Sequence, residues 1–484
     1  MIAQIVPAWI DSDAEVAEQA WRDGDVFGAI EAADRALAAG TDSDGRAAAV
    51  AAAGAAADGA LRDAAARWRG VGAALEGAAA ARAVGRAAMA AALTGDVATA
   101  VNDLADARDQ LPDPAPRGLT VLLGGAGAVV EAMGGALDRA SRHLAGLAAA
   151  SVAPDPMAAE RLDELAVTVT AAGGDVDTAR ALLHALPGRP TGRGLLLRAW
   201  LDMRTGHLAA ARDALAAAAR TPVLRRDALL GAAVSVGLAR RTGDTAAIAA
   251  TWARVAPVVA GTDVELLLLD AWGELSVVAE QVSPTDRDLV VDAMRSALHR
   301  AGSPWWGVAA DRWWQLERAV VADDAAAATE AATELTALAA EHPRLRGRAD
   351  AATAWAAVLD GLVCPAAVDD AAARLADSGL RAEAAALCRG AAQRTTDPAA
   401  TRRLLGAGRG LRPATGGSRT SGLLSGRERE VGALVLDGLT QKEIGARLYI
   451  SPKTVEQHVA RLRQKLAASN RAALVAALRT HLEK

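Results

Sequence analysis

The chain has 484 residues, 52% of them apolar, and a formal net charge of −5. Alanine dominates the apolar share, with one Phe (Phe27) and one Tyr (Tyr449) against eleven Trp, so a β-rich fold is excluded and helix is predicted almost throughout. No uncharged apolar run reaches the roughly eighteen residues of a membrane span, and the start, MIAQIVPAWIDSDAE, lacks the basic region of a secretory signal, which points to the cytoplasm.

The charge is unevenly placed. Residues 402–484 carry 16 Lys+Arg and 6 Asp+Glu, a balance of +10, which leaves 37 basic and 52 acidic side chains, −15, on the rest. A basic tail on an acidic body predicts a polyanionic partner for the tail. The only lysines are Lys442, Lys453, Lys465 and Lys484. A phosphate-binding GK[ST] loop and a Schiff-base lysine are therefore excluded from the body, and so is a receiver module with its lysine beside the phosphorylated aspartate. Cys364 and Cys388 stand in Ala-rich, helix-like surroundings and read as small core residues of a reducing compartment, against the alternative of a redox pair.

In chain order, a repeat comes first. A small turn residue is followed five positions later by a small apolar residue opening an Ala/Leu helix. The pairs are Gly24 with Ala29, Gly59 with Ala64, Gly95 with Ala100, Gly135 with Ala140, Gly174 with Ala179, Gly206 with Ala211 and Gly243 with Ile248. The glycines lie 35, 36, 40, 39, 32 and 37 residues apart. Between 250 and 370 the pattern blurs, with Asp323 and Ala328 a weak member, and Gly379 with Ala384 reads as a late recurrence. A period near 36 predicts stacked helical hairpins, each covering its neighbour's apolar face. The pattern resembles tetratricopeptide-type repeats over most of residues 12–395, without most of their aromatic positions. That resemblance implies a solenoid with a concave face for a peptide, protein or ligand.

Within it, SPWWGVAADRWWQLERAV, residues 303–320, predicts a helix with Ser303 as cap and Pro304 at its first position. Trp306 and Trp313, seven apart, share a face; Trp305 and Trp314 lie about 80–100° to either side. Four indoles exceed what one core-facing stripe needs. They read either as packing between repeats or as a ligand or partner site.

After about residue 396 the helical pattern weakens. Residues 402–420 hold five Arg, five Gly, one Pro and no acid, and read as a flexible linker able to touch phosphates. The remaining residues predict four short helices. Ser425 with Glu428 and Thr440 with Glu443 form capping boxes, Gly438 is a stop, Ser451-Pro452 opens a third helix, and Ser469 or Asn470 opens the last. In the third helix Val455, Val459, Leu462 and Leu466 face inward, leaving Lys453, Glu456, Gln457, Ala460, Arg461, Gln464 and Lys465 outside. Two helices on a tight turn, the second polar and basic outside, form a helix-turn-helix able to enter a major groove.

LSGREREV, GLTQKEIGARLYISPKTVEQHV, RLRQKL and SNRAALV resemble the LuxR/NarL-type DNA-binding domain over residues 419–484. The resemblance implies base contacts from Glu456, Gln457 and Ala460, and phosphate contacts from Lys453, Thr454, Arg461 and Lys465, with Lys442 and Ser451 beside them. His458 is then structural, not a metal ligand. Gly445 in place of Ala, and Ala467-Ala468 in place of Gly-Val, depart from the pattern near helix ends without removing a DNA-facing group. Members often dimerise through the last helix, which makes Leu474 and Leu478 candidates, although that spacing also suits a packed core.

The expected architecture is all-α: a repeat solenoid over 1–400, a basic Gly/Arg-rich linker over 401–418, and a four-helix LuxR-type domain over 419–484. It looks like the C-terminal part of the large ATP-binding LuxR regulators without their ATPase. The expected function is a bacterial, sequence-specific transcriptional regulator whose repeat region meets RNA polymerase or a protein or small-molecule effector. The alternative is a repeat-type adaptor with a tethering module. Seven scattered His, two Cys and no catalytic or metal spacing give no basis for an enzyme, a cofactor or a metal.

Overall fold

The computed structural model describes residues 12–42, 44–150, 157, 161–186, 190–221, 224–411, 431–432, 434–436, 438–448, 455–456, 459–460, 462–463, 466, 468 and 470–482. The chain divides into two compact units, Met1–Pro413 and Ala414–Lys484. Among the described residues there is no strand.

The first unit is a run of helical hairpins, from Asp13–Arg22 with Val26–Ala39 to Arg381–Arg394 with Pro398–Gly410. The glycine repeat marks the turn inside each of the first seven. Gly24, Gly59, Gly95, Gly135, Gly174, Gly206 and Gly243 all have φ between +76° and +89°. The residue five positions on is buried in every case, at 0% exposure for the six alanines and 4% for Ile248. A side chain larger than these would hold the two helices of a hairpin apart. Aspartates after the turn cap the outgoing helix: Asp25, Asp96, Asp175 and Asp244 each accept a backbone N–H from three residues on.

The hairpins continue through the stretch where the pattern blurs, with different turn chemistry. Ser283 caps the helix Pro284–Arg300, with Pro284 at its first position. Asp323 takes the left-handed conformation itself, at φ +56°, and Asp324 caps Ala325–Glu341. Gly361, φ +81°, precedes Pro365–Asp377 after a longer loop. Gly379 is out of phase: it joins one hairpin to the next, between Pro365–Asp377 and Arg381–Arg394.

From the second hairpin on, the first helices are buried over most of their circumference, whereas Asp13–Arg22 at the start buries only Ala14 and Ala17. Arg225–Thr242 buries Arg226, Asp227, Leu229, Leu230, Ala233, Val234, Val236, Gly237, Leu238 and Ala239. Second helices bury one stripe, as Ala100, Asp103, Leu104 and Ala107 do on Val97–Asp109. The array is thus an inner layer wrapped by an outer one.

It also coils back on itself. Asp263 donates its N–H to the Gly59 carbonyl at 2.9 Å, and its carboxylate pairs with Arg62 at 2.6 Å. Arg300 reaches the Thr94 carbonyl at 3.2 Å. Arg344 pairs with Asp138 at 2.8 Å, and Arg381 with Asp177 at 3.2 Å. Each of these partners stands 201–206 residues from the other, so successive superhelical turns are stacked edge to edge. The turns of the first layer lie against the second. A Cβ on Gly95, φ +87°, would sit 2.6 Å from the Ala297 carbonyl oxygen, whereas one on Gly243, φ +76°, would meet nothing within 4 Å. Gly243→Ala should therefore cost only the left-handed strain, about 1–2 kcal/mol. Gly95→Ala should cost more, because a backbone must move as well. Urea midpoints of the two variants, compared at equal slope, check this order.

The axis of the coil is filled with paired charge. Glu274, at 0% exposure, lies 2.7 Å from Arg240 and 3.0 Å from Arg241. Arg240 also meets Glu317 at 2.9 Å, and Arg241 meets Glu383 at 2.9 Å. Glu383 pairs with Arg204 at 2.9 Å, which reaches Asp270 at 3.3 Å. A second cluster joins Arg193 and Arg226 to Glu265 at 2.6 and 2.7 Å. These side chains come from residues 193–383 and meet inside the array, where the network is largely buried.

Two local expectations are corrected. Residues 402–410 are helical, part of Pro398–Gly410, not linker: Asp397 caps, Pro398 starts, and Ala400, Leu404 and Gly408 pack inward. A Cβ at Gly408 would lie 3.1 Å from that of Cys388, so the glycine allows close docking. The cysteines differ in environment. Cys388 is buried, which pushes its thiol up to about 11, while Cys364 is exposed and not a core residue; both are free.

Candidate nucleic-acid interface

The second unit is assembled by local signals. Val431 and Val435 lie on the inward side of the first helical stretch. Gly438, φ +83°, ends it: its N–H bonds to Val435 at 3.2 Å, and that of Leu439 to Leu434 at 3.2 Å. Thr440 and Glu443 close the predicted capping box. The Glu443 carboxylate accepts the Thr440 N–H at 2.8 Å, and the Thr440 hydroxyl accepts the Glu443 N–H at 3.3 Å. The bonds from Thr440 hold the Glu443 carboxyl below its ordinary value. The helix Gln441–Leu448 follows. Asn470 caps Arg471–Leu482, its side chain accepting the Ala473 N–H at 2.8 Å; Ser469 lies outside the described residues.

These elements share one core of Val431, Val435, Ile444, Val455, Leu462, Leu474 and Leu478, with Val459 and Leu466 half-buried against it. Val455, Val459, Leu462 and Leu466 thus face inward as expected. Leu474 and Leu478 are fully buried in this domain core, the packed-core alternative that their spacing also suited.

The opposite face is polar. Lys442, Glu456 and Ala460 are exposed. Arg463 is exposed too and was not singled out from sequence; it lies seven residues after Glu456 and three after Ala460, on the same side of a helix. Counting by sevens from Glu456 would have found it. Ser451, Lys453, Thr454, Gln457, Arg461 and Lys465, like the Ser425–Glu428 box, lie outside the described residues. Where the chain is described, the unit has an apolar inside, capped short helices, and an outward side carrying Glu456, Ala460 and Arg463.

The profile of bacterial regulatory proteins, luxR family, matches residues 422–478. The spore germination protein GerE of Bacillus subtilis is 45% identical over 56 residues, which cover 12% of this chain and 76% of GerE. The chain belongs to the luxR family. The luxR-family domain is also similar to the transcriptional regulatory protein NarL of Mycobacterium tuberculosis, 50% identical over 54 residues, 11% of this chain and 25% of NarL. A protein of Mycobacterium bovis named as an HTH-type transcriptional regulator is 40% identical over 81 residues, 17% of this chain. The match spans only 9% of that regulator's length. All of these likenesses are short beside the full luxR-family chain, whose helical array extends far beyond them.

The tryptophan stretch belongs to the array. The helix begins at Trp305, and Ser303 does not cap it: at φ +54° its N–H closes the preceding helix on Leu298 at 2.8 Å. Trp306, Trp313 and Trp314 are buried, the last two at 0% exposure. Trp314 donates to Asp270 at 2.7 Å, and its ring lies where a Cβ on Gly273 would be 2.1 Å away. Trp306 donates to the Ala132 carbonyl at 3.0 Å, across the stacked turns. Trp305 is half-buried, stacked on His342 at 4.1 Å, with its N–H 3.3 Å from the Gly135 carbonyl. A cavity of about 20 Å³ beside Trp306, lined also by Thr168, Trp200 and Asp270, has room for roughly one water molecule.

Proposed function

We propose that the protein is a sequence-specific DNA-binding transcriptional regulator that acts in the bacterial cytoplasm. The observation that carries this reading is the luxR-family match over residues 422–478. The exposed Glu456–Ala460–Arg463 face opposite the domain core is where a recognition helix would present side chains to a major groove. Lys453, Thr454, Arg461 and Lys465, with Lys442 and Ser451, are its phosphate contacts; Glu456, Gln457 and Ala460 are its base contacts. Gln suits adenine and Glu suits the cytosine amino group. The helical array controls the domain by meeting a protein or small-molecule effector, or RNA polymerase. The paired charges that fill its axis favour an outer surface for that meeting. Among the described residues, no helix is long and apolar enough to cross a membrane.

Binding of the full chain to genomic fragments and to random duplex tests the reading. A regulator should prefer its site by at least about 10³-fold, and equal affinity for every sequence would favour a tethered adaptor. Gln457→Ala should relax preference at one base position and cost about 1–3 kcal/mol. Lys453→Ala should weaken all sequences alike and lower the salt slope by about 1. A Gln457→Ala protein with unchanged affinity and preference would place the recognition helix elsewhere.

A further inference from the structure

The run from Pro398 to Arg427 holds six arginines and no Asp or Glu, in a chain with 58 acidic residues. Its first part is a helix fixed to the array, so its charges are held on a surface. Ala400, Leu404 and Gly408 face the neighbouring helices. Arg402 and Arg409, seven residues apart, share the opposite, exposed face. Arg403 between them is taken by Asp369 at 2.6 Å. Among the described residues, neither Arg402 nor Arg409 has a carboxylate within ion-pair distance, although most of the array's arginines do.

A fixed cationic face with no internal partner fits an external polyanion. Residues 411–421 separate this helix from the start of the luxR-family match at residue 422. A chain of that length reaches at most about 40 Å, little more than one duplex turn of about 34–36 Å. A duplex held by the C-terminal domain is therefore tethered to the array by a short chain, at high effective concentration. We propose that the helix Pro398–Gly410 is a second DNA-contacting surface, with Arg402 and Arg409 pairing with backbone phosphates beside the site held by the C-terminal domain. The contact carries no base information; it adds affinity and salt dependence. This inference rests on the DNA-binding reading above.

The test is the salt dependence of full-chain binding to a random-sequence duplex of about 40 base pairs, with Arg402→Ala/Arg409→Ala against wild type. Each phosphate contact contributes about 0.9 to the slope of log K against log salt. The double variant should lose nearly 2 of that slope. Between about 50 and about 200 mM salt, wild type should lose roughly tenfold more affinity than the variant. Arg22→Ala/Arg35→Ala removes the same charge from the far end of the array and should leave the slope as in wild type. An unchanged thermal midpoint for both variants shows that they are folded. A wild-type slope in Arg402→Ala/Arg409→Ala, or an equal loss in the control, overturns the proposal. If Lys453→Ala lowers the slope while the arginine variant does not, only this inference falls. If wild type binds no duplex, the DNA-binding reading falls with it.

Discussion

Glu274→Ala should lower the stability of the array by about 3–5 kcal/mol, among the largest effects of any single substitution in this chain. The side chain is fully buried, and its removal takes one of two carboxylates from each of Arg240 and Arg241, leaving them Glu317 and Glu383 alone. The same group sets an acid limit. Burial alone pushes the Glu274 carboxyl up, but the charges and hydrogen bonds of Arg240 and Arg241 outweigh it and bring it from 4.5 down to about 2. A carboxyl lowered by folding stabilises above its unfolded value and loses that contribution as pH falls through the folded one. Stability should thus decline between about pH 4.5 and about pH 2. Glu265, buried but facing Arg193 and Arg226, and Asp270, half-buried beside Arg204 and Arg348, are lowered too and add to the decline. Glu317, raised by burial, opposes it. Urea midpoints at neutral and acid pH check both statements. A Glu274→Ala midpoint equal to wild type would mean that Glu317 and Glu383 suffice to hold the two guanidinium groups.

Trp314→Ala should cost about 3–5 kcal/mol, and Trp313→Ala nearly as much. Trp314 fills the space over Gly273, donates to Asp270, and lies with its ring 5.3 Å from the Arg204 guanidinium. Its loss opens a cavity and strips the axial network of a donor. Trp305→Ala should cost clearly less, because its ring is half-buried and stacked on one side by His342. Thermal unfolding of the three variants orders them. If Trp305→Ala matched Trp314→Ala, the bond from Trp305 to the Gly135 carbonyl would be a structural joint between superhelical turns. If Trp314→Ala were mild, the buried indoles would not hold the inner layer together.

The hairpins could be read from sequence because their demands are local. A turn at φ near +85° leaves glycine, and a helix pair in close approach leaves alanine five residues on. The same holds for Gly438, the Thr440–Glu443 box and Asn470 in the small domain. Where the turn chemistry changed, to Ser283-Pro284 or a left-handed Asp323, the repeat faded from view although the fold did not. The glycine-rich Pro398–Gly410 helix was read as linker because its helix-forming terms are weak. Its start signal, Asp397-Pro398, and its Ala400–Leu404–Gly408 stripe were present. Four tryptophans seemed too many for one stripe; an inner helix, however, is buried over most of its circumference. The axial charges could not be read at all. Glu274 meets Arg240 and Arg241 from the next hairpin, yet Arg241 also meets Glu383, 142 residues away. Only the superhelical closure brings such pairs together. Arg463 was passed over beside the more conspicuous Lys453–Lys465 set.

That closure has a consequence for how the array melts. In an open repeat protein each unit touches only its neighbours, so end units fray and truncated versions persist. Here the Gly59, Thr94, Asp138 and Asp177 regions are each secured by partners about two hundred residues downstream. Removing the last hairpins would uncover the middle of the chain as well as its end. Denaturation should accordingly run as one sharp transition in place of a series of partial ones. Refolding should be slow for an all-helical protein, since half the chain must wait for the other half before its edges find company.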